Sequence, residues 1–105
     1  MTHRIWRSSA FLADVRPFGR HCDDYQDKFA VEQLVRLDFA VETLIAGAPF
    51  TWSFFVHSGP PHRAYLFRVG QRTRYWIVYS IDEKTSTVKL SRLWNAARDP
   101  HRFSV

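Results

Sequence analysis

A single cysteine, Cys22, is all the thiol the chain has, so no internal disulfide can brace it. That usage fits a reducing compartment. Apolar runs are short, and none reaches the roughly 18 residues that mark a membrane-spanning helix. The opening Met1-Thr-His-Arg-Ile-Trp-Arg lacks the long apolar stretch of a secretory leader. The expectation is a cytoplasmic protein with no membrane partner. Glycine is scarce too, four residues scattered at turns, and none builds a phosphate-cradling loop. No nucleophile elbow is present. The five histidines, at 3, 21, 57, 62 and 101, show no metal-ligand spacing, and His21-Cys22 is too little by itself. Catalytic cysteine–histidine pairs meet in space rather than in sequence, so that dipeptide does not mark a nucleophile either. No cofactor or metal is expected. Internal repeats, low-complexity segments and linkers are absent.

What is present suits one domain spanning residues 1–105, with a hydrophobic fraction of 46% to fill a core. Net charge is +5 and unevenly placed. Nine of fifteen Lys/Arg lie between Arg63 and Arg102, against three acidic residues, Asp82, Glu83 and Asp99. The preceding stretch carries six basic and seven acidic residues. The positive charge therefore belongs to the second half, and suggests a polyanionic target or an acidic protein partner.

Arg4-Ile-Trp-Arg-Ser reads as a short first strand. Ser8 or Ser9 can cap a brief helix carrying Phe11, Leu12, Val15 and Phe18, which Pro17 should break or kink. Gly19 to His21 then reads as a link. Asp23-Asp-Tyr-Gln opens the main helix with a capping-box pattern ending at Gln26. Ala30, Leu34, Leu37, Val41 and Leu44 form its apolar stripe, widened by Val31 and Ile45. Glu32 and Arg36 make a candidate ion pair on the other side. Gly47 and Pro49 end the helix. Phe29 and Phe39 lie off the stripe, either to pack on the first helix or to dock a partner.

Trp52, Phe54 and Val56 alternate with Ser53, Phe55 and His57, and Ser58-Gly-Pro-Pro-His turns the chain. Strands follow at Ala64–Val69, Arg74–Asp82 and Thr87–Asn95, joined by short polar loops. The order predicts an α+β domain: a short N-terminal strand, two helices, and an antiparallel meander of three to four strands with the helices on one face. On the middle strand, alternation puts Tyr75, Ile77, Tyr79 and Ile81 on one face, and Trp76, Val78 and Ser80 on the other.

Arginine, histidine and tyrosine remain as the chemical inventory. Arginine clamps phosphate and stabilises charge developing on it. Histidine moves protons near neutral pH. Such a set suits metal-independent RNA cleavage by the neighbouring 2′-hydroxyl.

The element order resembles the RelE/ParE toxin superfamily of type II toxin–antitoxin systems. Arg74-Tyr-Trp-Ile-Val-Tyr-Ser-Ile-Asp-Glu resembles its central strand and acidic turn. Leu93-Trp-Asn-Ala-Ala-Arg-Asp-Pro resembles its last strand and Arg-Asp ending, and Ile5-Trp-Arg-Ser-Ser-Ala-Phe-Leu-Ala-Asp-Val its opening strand and first helix. The resemblance implies a plasmid-stabilisation-type bacterial toxin, bound in a hetero-oligomer by an acidic antitoxin that wraps its surface. RelE-like members are endoribonucleases that cut messenger RNA on the ribosome. ParE-like members inhibit DNA gyrase without an enzymatic step.

Carried onto this chain, the ribonuclease pattern implies Arg68, Arg74 and Arg98 as phosphate ligands and His101 as the proton-transfer residue, with Arg72, Trp76 and Arg102 beside them on the nucleic acid. Two positions depart from the pattern. Trp76 stands where the family places an arginine. Phe103 stands where a catalytic tyrosine ends the tail. Alternatives stay open for each. Arg68, Arg72 and Arg74 can simply solubilise a turn, Arg98 can pair with Asp99, and Trp76 and Trp94 can belong to the core or flank a groove. A gyrase inhibitor, or a basic interaction module without toxicity, are the competing functions.

Overall fold

The computed structural model describes residues 2–23, 27–69, 73–98 and 100–104, with the backbone alone at 21–23, 27–30 and 100. The elements run β1 (Arg4–Arg7), α1 (Ser9–Asp23), α2 (Asp27–Phe39), β2 (Arg63–Val69), β3 (Thr73–Asp82) and β4 (Thr87–Asn95). This is the expected α+β order, and the three meander strands begin and end within a residue of their predicted bounds. They form one sheet in the order β1-β4-β3-β2. The meander is antiparallel, whereas β1 joins β4 in parallel, with Ile5 beside Val88 and Arg7 beside Leu90. The helix pair returns the chain so that β2 starts in the same direction as β1, at the opposite edge. Among the described residues no helix is long and apolar enough to cross a membrane.

Ser8 caps α1, its Oγ accepting from the Phe11 amide at 3.0 Å and donating to the Ser91 carbonyl at 3.0 Å. Contrary to expectation, α1 continues through Pro17 to Asp23. Pro17 and Ala13, whose carbonyl loses its helical partner, are both exposed, so water can satisfy that carbonyl. Phe11 and Phe18, two turns apart and 2% and 1% exposed, hold the two halves of the helix on the core. Of the predicted cap, residues 24–26 and the Asp23 side chain lie outside the described residues, as do the side chains of Phe29 and Ala30.

α2 passes at Ala40 into a π-helical turn, Ala40–Ile45. The wider turn rephases the stripe. Val41, Ile45 and Ala46 enter the core, Leu44 is left half-buried, and Val31 is 62% exposed. Arg36 does not pair with Glu32. It donates to Gln33 Oε1 at 2.5 Å and lies over the Phe67 ring at 5.1 Å. Gln33 is buried, so it gains more from a charged donor than solvated Glu32 would.

The alternation at Trp52–His57 makes no strand, only a bridge between Phe54 and Arg63. Arg63 explains the departure. Its guanidinium donates to the Trp52 carbonyl at 2.6 Å and covers the Phe54 ring at 4.3 Å. That draws the segment into a loop that buries Phe55 and exposes Val56.

The sheet has two unlike faces. Phe67, Ile77, Tyr79 and Leu90 face the helices in the main core. The opposite face holds a smaller cluster of Phe55, Ala64 and Val78, edged by Trp76 and Phe103. A bulge on β4 keeps both faces in register. Tyr79 pairs with Leu90 and Val78 with Arg92, leaving Ser91 as the extra residue, so Leu90 and Leu93 both reach the helix side.

Candidate nucleic-acid interface

Pleating sends Arg68, Arg74, Trp76 and Trp94 to the face without helices. Arg68 sits directly across from Arg74, and Trp76 directly across from Trp94. The Ala96 amide donates to the Arg74 carbonyl at 2.8 Å, so β4 runs alongside Arg74 to its end. Arg98, two residues on, turns back until its guanidinium lies 4.9 Å from the centre of the Trp94 ring. Three of the four residues expected to contact phosphate or transfer protons thus gather at one end of the open face. All three arginines are exposed.

Among the described residues no carboxylate pairs with Arg68, Arg74, Arg98 or Arg102; the ion pairs are Arg7–Glu42, Lys89–Asp82 and Arg92–Asp14. Directly opposed like charges cost about 0.2–1 kcal/mol per pair. The Arg68–Arg74 pair therefore stands against stability rather than contributing to it. Arg68→Glu should raise stability by about that amount, because it converts repulsion into attraction. It should also weaken binding to a single-stranded RNA oligonucleotide and flatten the salt dependence, by about 0.7 in log–log slope for each phosphate no longer neutralised. Denaturant melts and binding isotherms at several salt concentrations read both effects. An unchanged slope would remove Arg68 from the interface.

The tail folds back over this face. Phe103 packs edge-on against Phe55 at 4.9 Å and Trp94 at 5.3 Å between ring centres. The position where a ribonuclease tail places its tyrosine is here a packing residue. Trp76 is half-buried with Phe55 5.6 Å away, and Trp94 is 3% exposed. The Trp76–Trp94 pair is thus mostly the floor of the site, and no open groove runs between the rings. His101 and Arg102 are exposed in the turn Pro100–Arg102. Arg72 and Asp99 lie outside the described residues.

Composition and spacing did not reveal what fixes this arrangement. Arg92 leaves β4 just past the end of β1 and reaches back to α1. Its Nε and Nη2 donate to the Asp14 carboxylate at 2.7 and 3.0 Å, and the Leu93 amide donates to the same carboxylate at 3.0 Å. Asp14 thereby caps the edge of β4 that β1 leaves open. The bond to Asp14 holds the Arg92 guanidinium above its ordinary pKa. Its Nη1 donates to the Ser104 carbonyl at 2.8 Å and anchors the tail. One residue ties α1, β4 and the tail together. The signal in the sequence was the three-residue spacing of Leu90 and Leu93, which betrays the bulge that turns Arg92.

Behind the site, Tyr79 is fully buried and its hydroxyl donates to the Pro49 carbonyl at 2.5 Å. Burial pushes its pKa up to about 12, with Arg63 pulling the other way. Folding therefore favours the protonated phenol. The stability this contributes is full below the ordinary value of about 10 and is lost as pH rises through about 12. Ultraviolet titration should show a phenolate step delayed to about pH 12 or appearing only with unfolding, and Tyr79→Phe should remove that step. A complete set of phenolates before about pH 11 would contradict the buried hydroxyl. His62 shifts the opposite way, lowered by burial.

Among the described residues no three His, Cys, Asp or Glu side chains converge as a metal site would need. The arrangement can bind a polyanion and place guanidinium donors on a phosphate. No family model matches the chain, and no curated protein matches it.

Proposed function

We propose that this chain is a RelE/ParE-like toxin of a type II toxin–antitoxin pair, acting in the cytoplasm as a metal-independent endoribonuclease on messenger RNA. The observation that carries the reading is the uncompensated arginine cluster: Arg68 against Arg74 across the strands, with Arg98 folded onto Trp94 beside them. Charge fixed on a rigid sheet, away from carboxylates, suits a phosphate whose charge grows in the transition state. Arg68, Arg74 and Arg98 hold the phosphate, His101 transfers the proton, and Arg102 and Trp76 border the strand of RNA. An acidic antitoxin neutralises the cluster, its association speeded by complementary charge and slowed by salt.

A gyrase inhibitor is the second reading. Phe103 favours it, because a ring packed on Phe55 and Trp94 has no proton to give. Induced expression without a partner in a bacterial host tests what the two readings share: growth should stop. Normal growth with abundant folded protein would overturn both.

A further inference from the structure

The outer edge of β2 is covered along only half its length. The loop before it supplies the cover: the Phe55 amide donates to the His62 carbonyl at 2.8 Å, and the Ala64 amide to the Ser53 carbonyl at 3.2 Å. Ala64 therefore points its backbone outward. Alternation points Leu66 and Arg68 outward as well, while Tyr65 and Phe67 turn to β3. Among the described residues nothing accepts from the Leu66 or Arg68 amides. An uncovered pair of this kind is a template for another strand.

Beside that free half lies a groove of about 550 Å³ between α2 and β2, bordered by Val35, Phe39, Leu44 and Tyr65. Val31, Val35 and Phe39 repeat at four-residue spacing along α2 and are 62%, 63% and 56% exposed, a continuous apolar ridge turned away from the core. Arg36 and Arg68 are the charged residues of the groove, and among the described residues no acidic side chain lines it. Backbone donors, an apolar wall and uncompensated positive charge occur together.

We infer that the free half of β2 accepts an added strand from a partner protein, an extended segment alternating apolar and acidic residues. Its backbone pairs with Leu66 and Arg68, its apolar side chains lie on the helix side against Val35 and Phe39, and its carboxylates, on the other face, meet Arg68. Main-chain bonds supply affinity, and the alternation sets the register. This deepens the proposed function and rests on it for the existence of a partner, since it names the surface and the segment by which such a toxin is held. Arg68 belongs to both surfaces, so a strand bound here also draws charge from the arginine cluster.

The test uses the full chain and a synthetic peptide alternating valine with glutamate. Amide exchange should slow at Leu66 and Arg68 on saturation. The same peptide N-methylated at every second amide, and one with lysine for glutamate, should each bind at least tenfold more weakly. Phe39→Asp, at an exposed position, should weaken the glutamate peptide about as much. Absent binding, equal binding of the N-methylated peptide, or unprotected amides at Leu66 and Arg68 would overturn the inference. So would a concentration-dependent dimer of the free chain that protects those two amides, because the occupant would then be a second copy. Growth arrest without strand addition sinks this inference alone. Strand addition without growth arrest supports this edge and sinks the toxin reading.

Discussion

If the chain cleaves RNA as proposed, Arg98→Ala should leave the domain folded and lower cleavage about a hundred- to a thousandfold, the usual cost of losing one fixed donor to a developing charge. Arg98 is exposed and pairs with no described carboxylate, and its cover of Trp94 is worth about 0.5–1 kcal/mol at such a site. Melting should therefore barely change while toxicity disappears. Arg98→Lys should not restore full activity, because a point charge replaces a planar fork that can take two phosphate oxygens. His101→Ala should cost about 10²–10⁴-fold if the imidazole carries the proton. A folded Arg98→Ala protein that remains fully toxic would take Arg98 out of the mechanism.

Asp14→Ala should lower stability by about 3–5 kcal/mol. The carboxylate and the Arg92 guanidinium are only 13% and 17% exposed, so solvent screens the pair poorly. Removing Asp14 leaves Arg92 without its counter-charge and the Leu93 amide without an acceptor. Small domains have only about 5–15 kcal/mol in all, so the variant should be marginal, melting lower by roughly 12 °C or more. Asp14→Leu combined with Arg92→Leu should recover much of the loss, because no lone charge is then buried. Tail anchoring at Ser104 would still be gone in that double variant. A single-variant loss under about 1 kcal/mol would place the pair among ordinary surface ion pairs.

The sequence made some features legible and hid others for physical reasons. Short polar turns and alternating side chains located the meander, and alternation sorted Tyr75, Ile77 and Tyr79 from Trp76 and Val78 because a single sheet face obeys a period of two. Pro17 misled because its cost depends on whether water reaches the freed carbonyl, which only the fold decides. The π-helical turn at Ala40–Ile45 misplaced Leu44, since a local change of helical period is invisible to a fixed one, while Val31 simply lies off the buried face of α2. Trp52–His57 had the rhythm of a strand, but Arg63 took the Trp52 carbonyl at its start and the Phe50 carbonyl just before it. The parallel pairing of β1 with β4 and the Asp14–Arg92 link join residues more than seventy positions apart, beyond the reach of any local pattern.

The candidate site divides in the same way. Arg68, Arg74 and Arg98 were readable as basic residues of the right strands, and the register brings them together. The role of Phe103 was readable only as a missing tyrosine. Its contacts show a second consequence: the tail is a packed part of the sheet face, held by Arg92 through Ser104. His101 therefore sits in a turn of that braced tail rather than on a loose end.

Sequencing the 5′ ends of messenger RNA from bacteria soon after induction, alongside gyrase supercoiling assays on the purified chain, tests the central claim most directly. RNA cleavage predicts fragments that accumulate within translated regions, vanish with Arg98→Ala, and leave supercoiling untouched. Intact messages together with inhibited gyrase would contradict it and establish the second reading.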